Sequence, residues 1–283
     1  MLTCRAILLL VCAACAWSGT VYTFEPSLYS GGSTSSIGTA PTLGGQDGWF
    51  DGGSQQNPVS GRVLIYPNNG TFPTAPGGGT QFVAMIGPNA STEHSATFAG
   101  ASAWAITYDV LIHSFSSQSP IGSFFMFSPG AWQLHAYAAW DYPASGPNTW
   151  SAMFDVHHAN GSSWMNQDAG TGFHGLQKDH WYQEQIVFST TSNQILSVSL
   201  SDPGDPSAGG TYNPAGWYFA GGASGTFNVS GIGLYSIGED ALLFDNISLD
   251  AAPEPATWAL LLPGAAALCC LRNRRRTAPA RNR

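Results

Sequence analysis

Four glutamates lie between residues 17 and 252, at Glu25, Glu93, Glu184 and Glu239, and none has a second carboxylate two positions away. A strand sends positions i and i+2 to one face, so no single strand offers the paired carboxyls that cut a glycosidic bond. Glu239 and Asp240 are adjacent and would point apart. Gln133, His135 and Tyr137 do share one face by spacing, a set able to hydrogen-bond a substrate and move protons. His157, His158, His174 and His180, with Asp155 or Asp179, carry donor types suited to zinc or copper. Neighbours in a strand point to opposite faces, however, so polar side chains at a loop mouth are the competing reading. Asp202 and Asp205 put two acids in one turn that could hold calcium; turn chemistry explains the same residues. Trp140, Tyr142, Trp150 and Trp164 cluster in one stretch and offer rings to stack on sugar faces, with core packing as the alternative. Trp49, Trp104 and Trp181 fit the core better because they sit in apolar alternation.

These side chains must be positioned by strands. Trp104, Ile106, Tyr108, Val110 and Ile112 alternate with smaller or polar residues, a period of two with one large apolar face. Trp132 to Tyr137 and Leu196 to Leu200 alternate in the same way, the latter with serines on its wet face. Further strand patterns run from 62 to 66, 82 to 86, 123 to 127, 152 to 157, 181 to 189, 216 to 220, 225 to 229, 231 to 236 and 241 to 249. Gly, Pro, Ser and Asn clusters interrupt every helical window, so the pattern predicts an all-β antiparallel sandwich as one domain over residues 17–252. Asp245-Asn246 reads as a strand-end pair that hydrogen-bonds a neighbouring loop or sits near an ion.

The two ends of the chain carry different chemistry. Arg5 and the apolar stretch to Ala16, ending Ala14-Cys15-Ala16, have the layout of a cleavable secretory signal over residues 1–16, and lipidation at Cys15 is the other reading. At the far end, residues 253–283 hold Pro253-Glu254-Pro255, an apolar run from Ala256 to Leu271, and the arginines Arg272, Arg274, Arg275 and Arg276. Sixteen residues of helix span roughly 24 Å against a hydrocarbon core of about 30 Å, which Trp258 and the arginines can extend from either side. Arginines stay cytoplasmic, so everything before Pro253 would lie outside the inner membrane. An ordinary tail anchor or a buried C-terminal helix is the alternative. All five cysteines fall in these end segments. The body is left with Arg62 and Lys178 against sixteen acids, a formal charge of −14, which argues against nucleic acid or anionic lipid as its partner.

The tail, in the order Pro-Glu-Pro, short apolar helix, Arg cluster, resembles the PEP-CTERM sorting signal of Gram-negative bacteria. That resemblance implies an exosortase as partner, processing near Pro253, and delivery to the cell surface or exopolysaccharide matrix. In the body, Phe24-Glu25, then Gly45-Gln46-Asp47-Gly48-Trp49, then Trp181-Tyr182 leading into Gln185 to Phe188, and finally Phe244-Asp245-Asn246-Ile247-Ser248-Leu249 resemble jelly-roll domains of the concanavalin A-like lectin/glucanase type. The likeness implies a jelly-roll β-sandwich with a central hairpin after Trp181 and a closing strand beside the first. Glucanases of that type carry Glu-x-Asp-x-x-Glu on one strand, which is missing here. Polysaccharide lyases of that type combine Gln, His and Tyr with an arginine, for which the body has only Arg62. The sequence therefore points to an exported, non-catalytic surface or matrix protein that grips glycan. A glycoside hydrolase or polysaccharide lyase on the same fold is the alternative.

Overall fold

The computed structural model describes residues 19–25, 43–51, 62–67, 70, 72–77, 79–87, 90–114, 121–129, 131–140, 149–205, 208–236 and 241–252. The proposed signal segment, Tyr142, Pro253 to Pro255 and the arginine cluster lie outside the described residues. The chain divides into Met1–Ala251 and Ala252–Arg283, and only the first unit carries described strands.

Two antiparallel sheets face each other as a jelly-roll sandwich. The first runs β14 (Gly209–Tyr212), β13 (Gln194–Ser201), β12 (Trp181–Ser189), β6 (Ala103–Ser114), β16 (Ala241–Ala251), β4 (Gln81–Ile86), β3 (Arg62–Pro67), with β1 (Thr20–Tyr22) also paired to β16. The second runs β10 (Ser163–Asp168), β9 (Thr149–His157), β8 (Ala131–Trp140), β7 (Gly122–Ser128), β15 (Gly231–Ser236), β5 (Ser91–Ser95), β2 (Trp49–Asp51), with β11 (Leu176–Gln177) also paired to β9. The closing strand lies beside the first as expected, with Tyr22 opposite Ile247. β12 and β13 form the central hairpin.

The period-two pattern sets which faces meet. On β6, Ile106, Tyr108, Val110 and Ile112 enter the core between the sheets, and β7, β8, β9 and β15 answer with Phe124, Met126, Leu134, Ala136, Phe154, Val156, Ile232 and Leu234. Burying such side chains stabilises the fold by about 1.5–3 kcal/mol each. On β13 a bulge opposite Val187 and Phe188 moves Ile195 into the core and leaves Leu196 half-buried. The stretches expected as strands near 218 and 227 are not strands; Tyr218 instead makes single bridges to His157 of one sheet and Gln194 of the other, tying the sheets together at one end.

The outer face of the first sheet is covered by the segment around Phe72. Phe72 and Ala75 form a second apolar cluster with Leu64, Tyr66, Phe82 and Trp181, and the Trp181 indole donates to the Pro73 carbonyl at 2.9 Å. Between the sheets, Glu184 of β12 and Tyr108 of β6 are register partners beside a cavity of about 10 Å³, space for roughly one water.

Candidate functional site

The outer face of the second sheet gathers most of the chemistry. Phe125 and Phe127 of β7 lie across Gly233 and Gly231 of β15, where a Cβ on either glycine would overlap the facing ring. The bare glycine backbone lets each ring lie across it. On β8 a bulge opposite Met126 and Phe127 brings Trp132 into register with Phe127. The Trp132 ring then sits 4.8 Å from the His135 ring and 4.9 Å from the His157 ring, and Phe125 lies 5.8 Å from His135. Five rings from three adjacent strands thus cluster, with Phe127, Trp132 and His135 half-buried at the surface over the buried Phe125 and His157.

Burial lowers His135 to about 4 and also lowers His157, so both rings are neutral near pH 7. His157 Nδ1 hydrogen-bonds the Gly161 carbonyl at 3.2 Å, so it carries that ring's proton and leaves Nε2 as an acceptor. The Nε2 atoms of His135 and His157 are buried, and neither has a hydrogen-bond partner among the described residues.

Beside the platform runs a polar strip. A bulge in β10 between Trp164 and Gln167 puts Asn166 at φ 57°, a left-handed conformation that asparagine tolerates. From there the Asn166 backbone amide donates to Asp155 Oδ1 at 2.8 Å, and the Tyr137 hydroxyl donates to Asn166 Oδ1 at 2.5 Å. Burial raises the Asp155 carboxyl, partly offset by that amide, and burial with the nearby Asp155 charge raises the Tyr137 phenol. Next along β9, Ser151 Oγ meets His174 Nδ1 at 2.7 Å, and His174 Nε2 meets Asp168 Oδ1 at 2.9 Å.

Several residues singled out in the sequence take other places. Trp150 is 1 % exposed inside the core and donates to the Gln177 carbonyl, so it does not face a ligand: its position alternates with Ser151 on β9, and only the odd positions turn outward. Trp164 stacks on His158 at 4.2 Å and packs against the core edge. Trp140 pairs with Trp150 across the β8–β9 ladder. Gln133 is buried, its amide donating to the Ser128 hydroxyl and accepting from the Ala220 backbone; Tyr137 is also buried, and His135 is the half-buried member of that trio. Arg62 belongs to β3, an edge of the other sheet.

The expected metal donors are dispersed. His157 and His158 do point apart, Asp179 pairs with His113, and His180 pairs with Asp202 at 2.7 Å. Asp202 also accepts from the Gly204 and Asp205 amides, so its carboxylate closes the turn. Burial alone would raise Asp202, yet His180 and those amides hold it below the ordinary range. Among the described residues no three His, Cys, Asp or Glu side chains are grouped to hold a metal ion.

A different pair of carboxylates lies on the first sheet. Asn246, at φ 50° in a β16 bulge, donates to the Pro76 carbonyl at 2.9 Å and to Asp109 at 2.7 Å, the loop contact expected for this residue. Asp245 is 1 % exposed and its Oδ2 has no hydrogen-bond partner among the described residues. That atom and Glu25 Oε1 both flank the space a Gly79 Cβ would fill. Burial, outweighing the Asn246 amide, with Asp109 and Glu25 nearby, pushes Asp245 up to about 8. Glu25 accepts from the Thr80 amide at 2.7 Å and the Thr80 hydroxyl at 2.6 Å, so Asp245 Oδ2 is the unpartnered oxygen of the two, a hard donor of the type calcium takes.

Sequence reasoning missed Ser151, Asn166 and the Glu25–Asp245 gap. The adjacency of β9 to β8 and β10 creates the first two, and no local spacing announces it.

No protein-family model matches the chain, and no curated protein matches it. Among solved structures it is similar to an alginate lyase from Klebsiella pneumoniae at 12 % identity, over 69 % of this chain and 82 % of that one, TM-score 0.41. The globular domain of T. cruzi calreticulin matches at 11 % identity over 81 % of this chain and 95 % of that one, TM-score 0.45. Peanut lectin matches at 9 % identity over 71 % and 94 %, TM-score 0.37.

Proposed function

We propose that this chain is an exported cell-surface or matrix protein that binds glycan on the outer face of its second sheet and leaves the glycosidic bonds intact. The observation that supports it is the half-buried ring surface of Phe127, Trp132 and His135, backed by Phe125 and His157, lying beside the Tyr137–Asn166–Asp155 strip. Rings stack on the apolar faces of sugars and the strip meets their hydroxyls. With neutral histidines and a body charge of −14, the face suits a neutral glycan better than a polyuronate.

Export and sorting rest on the sequence at both ends. The N-terminal segment directs secretion, the apolar run holds the chain in the inner membrane with its arginines inside, and an exosortase processes it near Pro253. Calcium belongs in this reading beside Asp245, whose Oδ2 has no hydrogen-bond partner among the described residues, with Glu25 nearby, and not to the Asp202–Asp205 turn.

A second reading, a polysaccharide lyase, draws on His135 and Tyr137 sharing this face; the position of Arg62 on β3 weighs against it. The test is a glycan array on the full-length chain, with reducing-sugar and unsaturated-uronate assays on every glycan retained. Binding without product upholds the proposal, and an unsaturated product replaces it with the lyase.

A further inference from the structure

We infer that Ser151, His174 and Asp168 form a nucleophile relay that hydrolyses small acyl esters. The three residues come from separate elements. Ser151 is on β9, Asp168 ends β10, and His174 follows the 3-10 turn at Thr171–Phe173, in the gap where β10 has left β9 and β11 has not yet joined it. Two hydrogen bonds join them in series, 2.7 Å from Ser151 Oγ to His174 Nδ1 and 2.9 Å from His174 Nε2 to Asp168 Oδ1. A nucleophile within reach of a base that a third group orients is the signature of covalent catalysis.

The proton positions follow from the chemistry of the partners. An ionised carboxylate only accepts, so Asp168 fixes the His174 proton on Nε2 and leaves the Nδ1 lone pair facing the Ser151 hydroxyl. Burial alone would raise Asp168, but the Gly170 amide and His174 outweigh it and keep this carboxylate ionised. The ring nitrogens are exchanged relative to the familiar serine-hydrolase order, which changes neither the tautomer logic nor the direction of proton flow.

Ser151 is 3 % exposed at the floor of the face, whereas His174 and Asp168 are open to solvent, so only a small acyl group such as acetyl reaches the hydroxyl. Ser151 Oγ adds to the ester carbonyl carbon as its proton passes to His174 Nδ1. The carbon–oxygen bond to the alcohol then breaks, and the alcohol leaves with that proton. Water, deprotonated by the same nitrogen, adds to the acyl-Ser151 carbonyl; the bond to Ser151 Oγ then breaks, that oxygen takes the proton back from Nδ1, and a carboxylic acid is released. Asp168 stays ionised throughout. Tyr137 lies diagonally from Ser151, which is opposite Ala139, and its hydroxyl proton is held by Asn166 Oδ1. The acyl group's location on a sugar hydroxyl rests on the glycan-binding reading; the relay itself does not.

The test uses the full-length chain with a fluorophosphonate probe and p-nitrophenyl acetate, and scores glycan binding on the same sample. The inference expects a probe adduct on Ser151 by peptide mass spectrometry and saturable acetate release. Ser151→Ala and Asp168→Asn should each lower that release at least about 100-fold. A folded chain that leaves the probe unreacted and releases acetate no faster than buffer overturns it, whether or not glycan is bound. Release that persists in both variants overturns it as well. Esterase activity without glycan binding upholds the relay and sinks only the sugar assignment.

Discussion

Gly233 of β15 stands directly opposite Phe125 of β7, and the missing side chain is the space that the aromatic ring occupies. The pair couples sheet packing to the proposed binding face, because Phe125 also touches His135 and Phe127.

Gly233→Ala should therefore displace the ring. Overpacking of this kind costs about 1–3 kcal/mol, to be read as a lower midpoint in urea unfolding. Glycan affinity should fall in the same variant. An unchanged midpoint would mean that the ring moves aside freely.

Glu184 sets a pH dependence. It is fully buried against Tyr108, and burial, against a smaller lowering by Tyr108, pushes its carboxyl up to about 7. Raising an acid's pKa penalises the ionised form, so stability is highest below its unfolded value near 4.5 and falls as pH rises toward about 7, levelling above it. The loss is of the order of 3 kcal/mol. Glu184→Gln should flatten the profile of unfolding free energy between pH 5 and 8 relative to wild type, a range in which other groups contribute equally to both proteins. Parallel profiles would show that Glu184 finds water through the adjoining cavity.

Calcium should raise the melting temperature of the full-length chain, and a chelator should reverse the gain. Asp245→Asn should remove the response while Asp202→Asn retains it. A response that follows Asp202 would return the ion to the turn.

The framework was legible because alternation is a local property. Ile106 to Ile112 announces both a strand and its buried face, and the closing strand falls beside the first as the Phe244–Leu249 pattern implies. What escaped depends on bulges and on neighbours far away in sequence. Trp150 reads as a loop ring, yet one residue of register puts it in the core and turns its neighbour Ser151 to the opposite face of β9. Trp132 joins His135 only because a bulge resets β8. Asn166 reaches Asp155 only through its left-handed backbone. The Glu25–Asp245 gap brings together residues from opposite ends of the described chain.

Sorting gives an independent check. Mass spectrometry of surface material should find the chain ending near Pro253, without Arg274 to Arg276. Mature protein that keeps those arginines would leave the tail as a simple anchor.

Trp132→Ala bears most directly on the central claim. It removes the ring that bridges His135 and His157 while sparing the core between the sheets. Base–ring stacking gives a scale of about 1–3 kcal/mol per ring lost, which for sugar stacking of similar strength means a dissociation constant raised roughly 5- to 150-fold by titration calorimetry. That loss, with an unchanged melting temperature and no released sugar from wild type, is the result expected. Equal affinity for wild type and Trp132→Ala would contradict the assignment of this face as the glycan site.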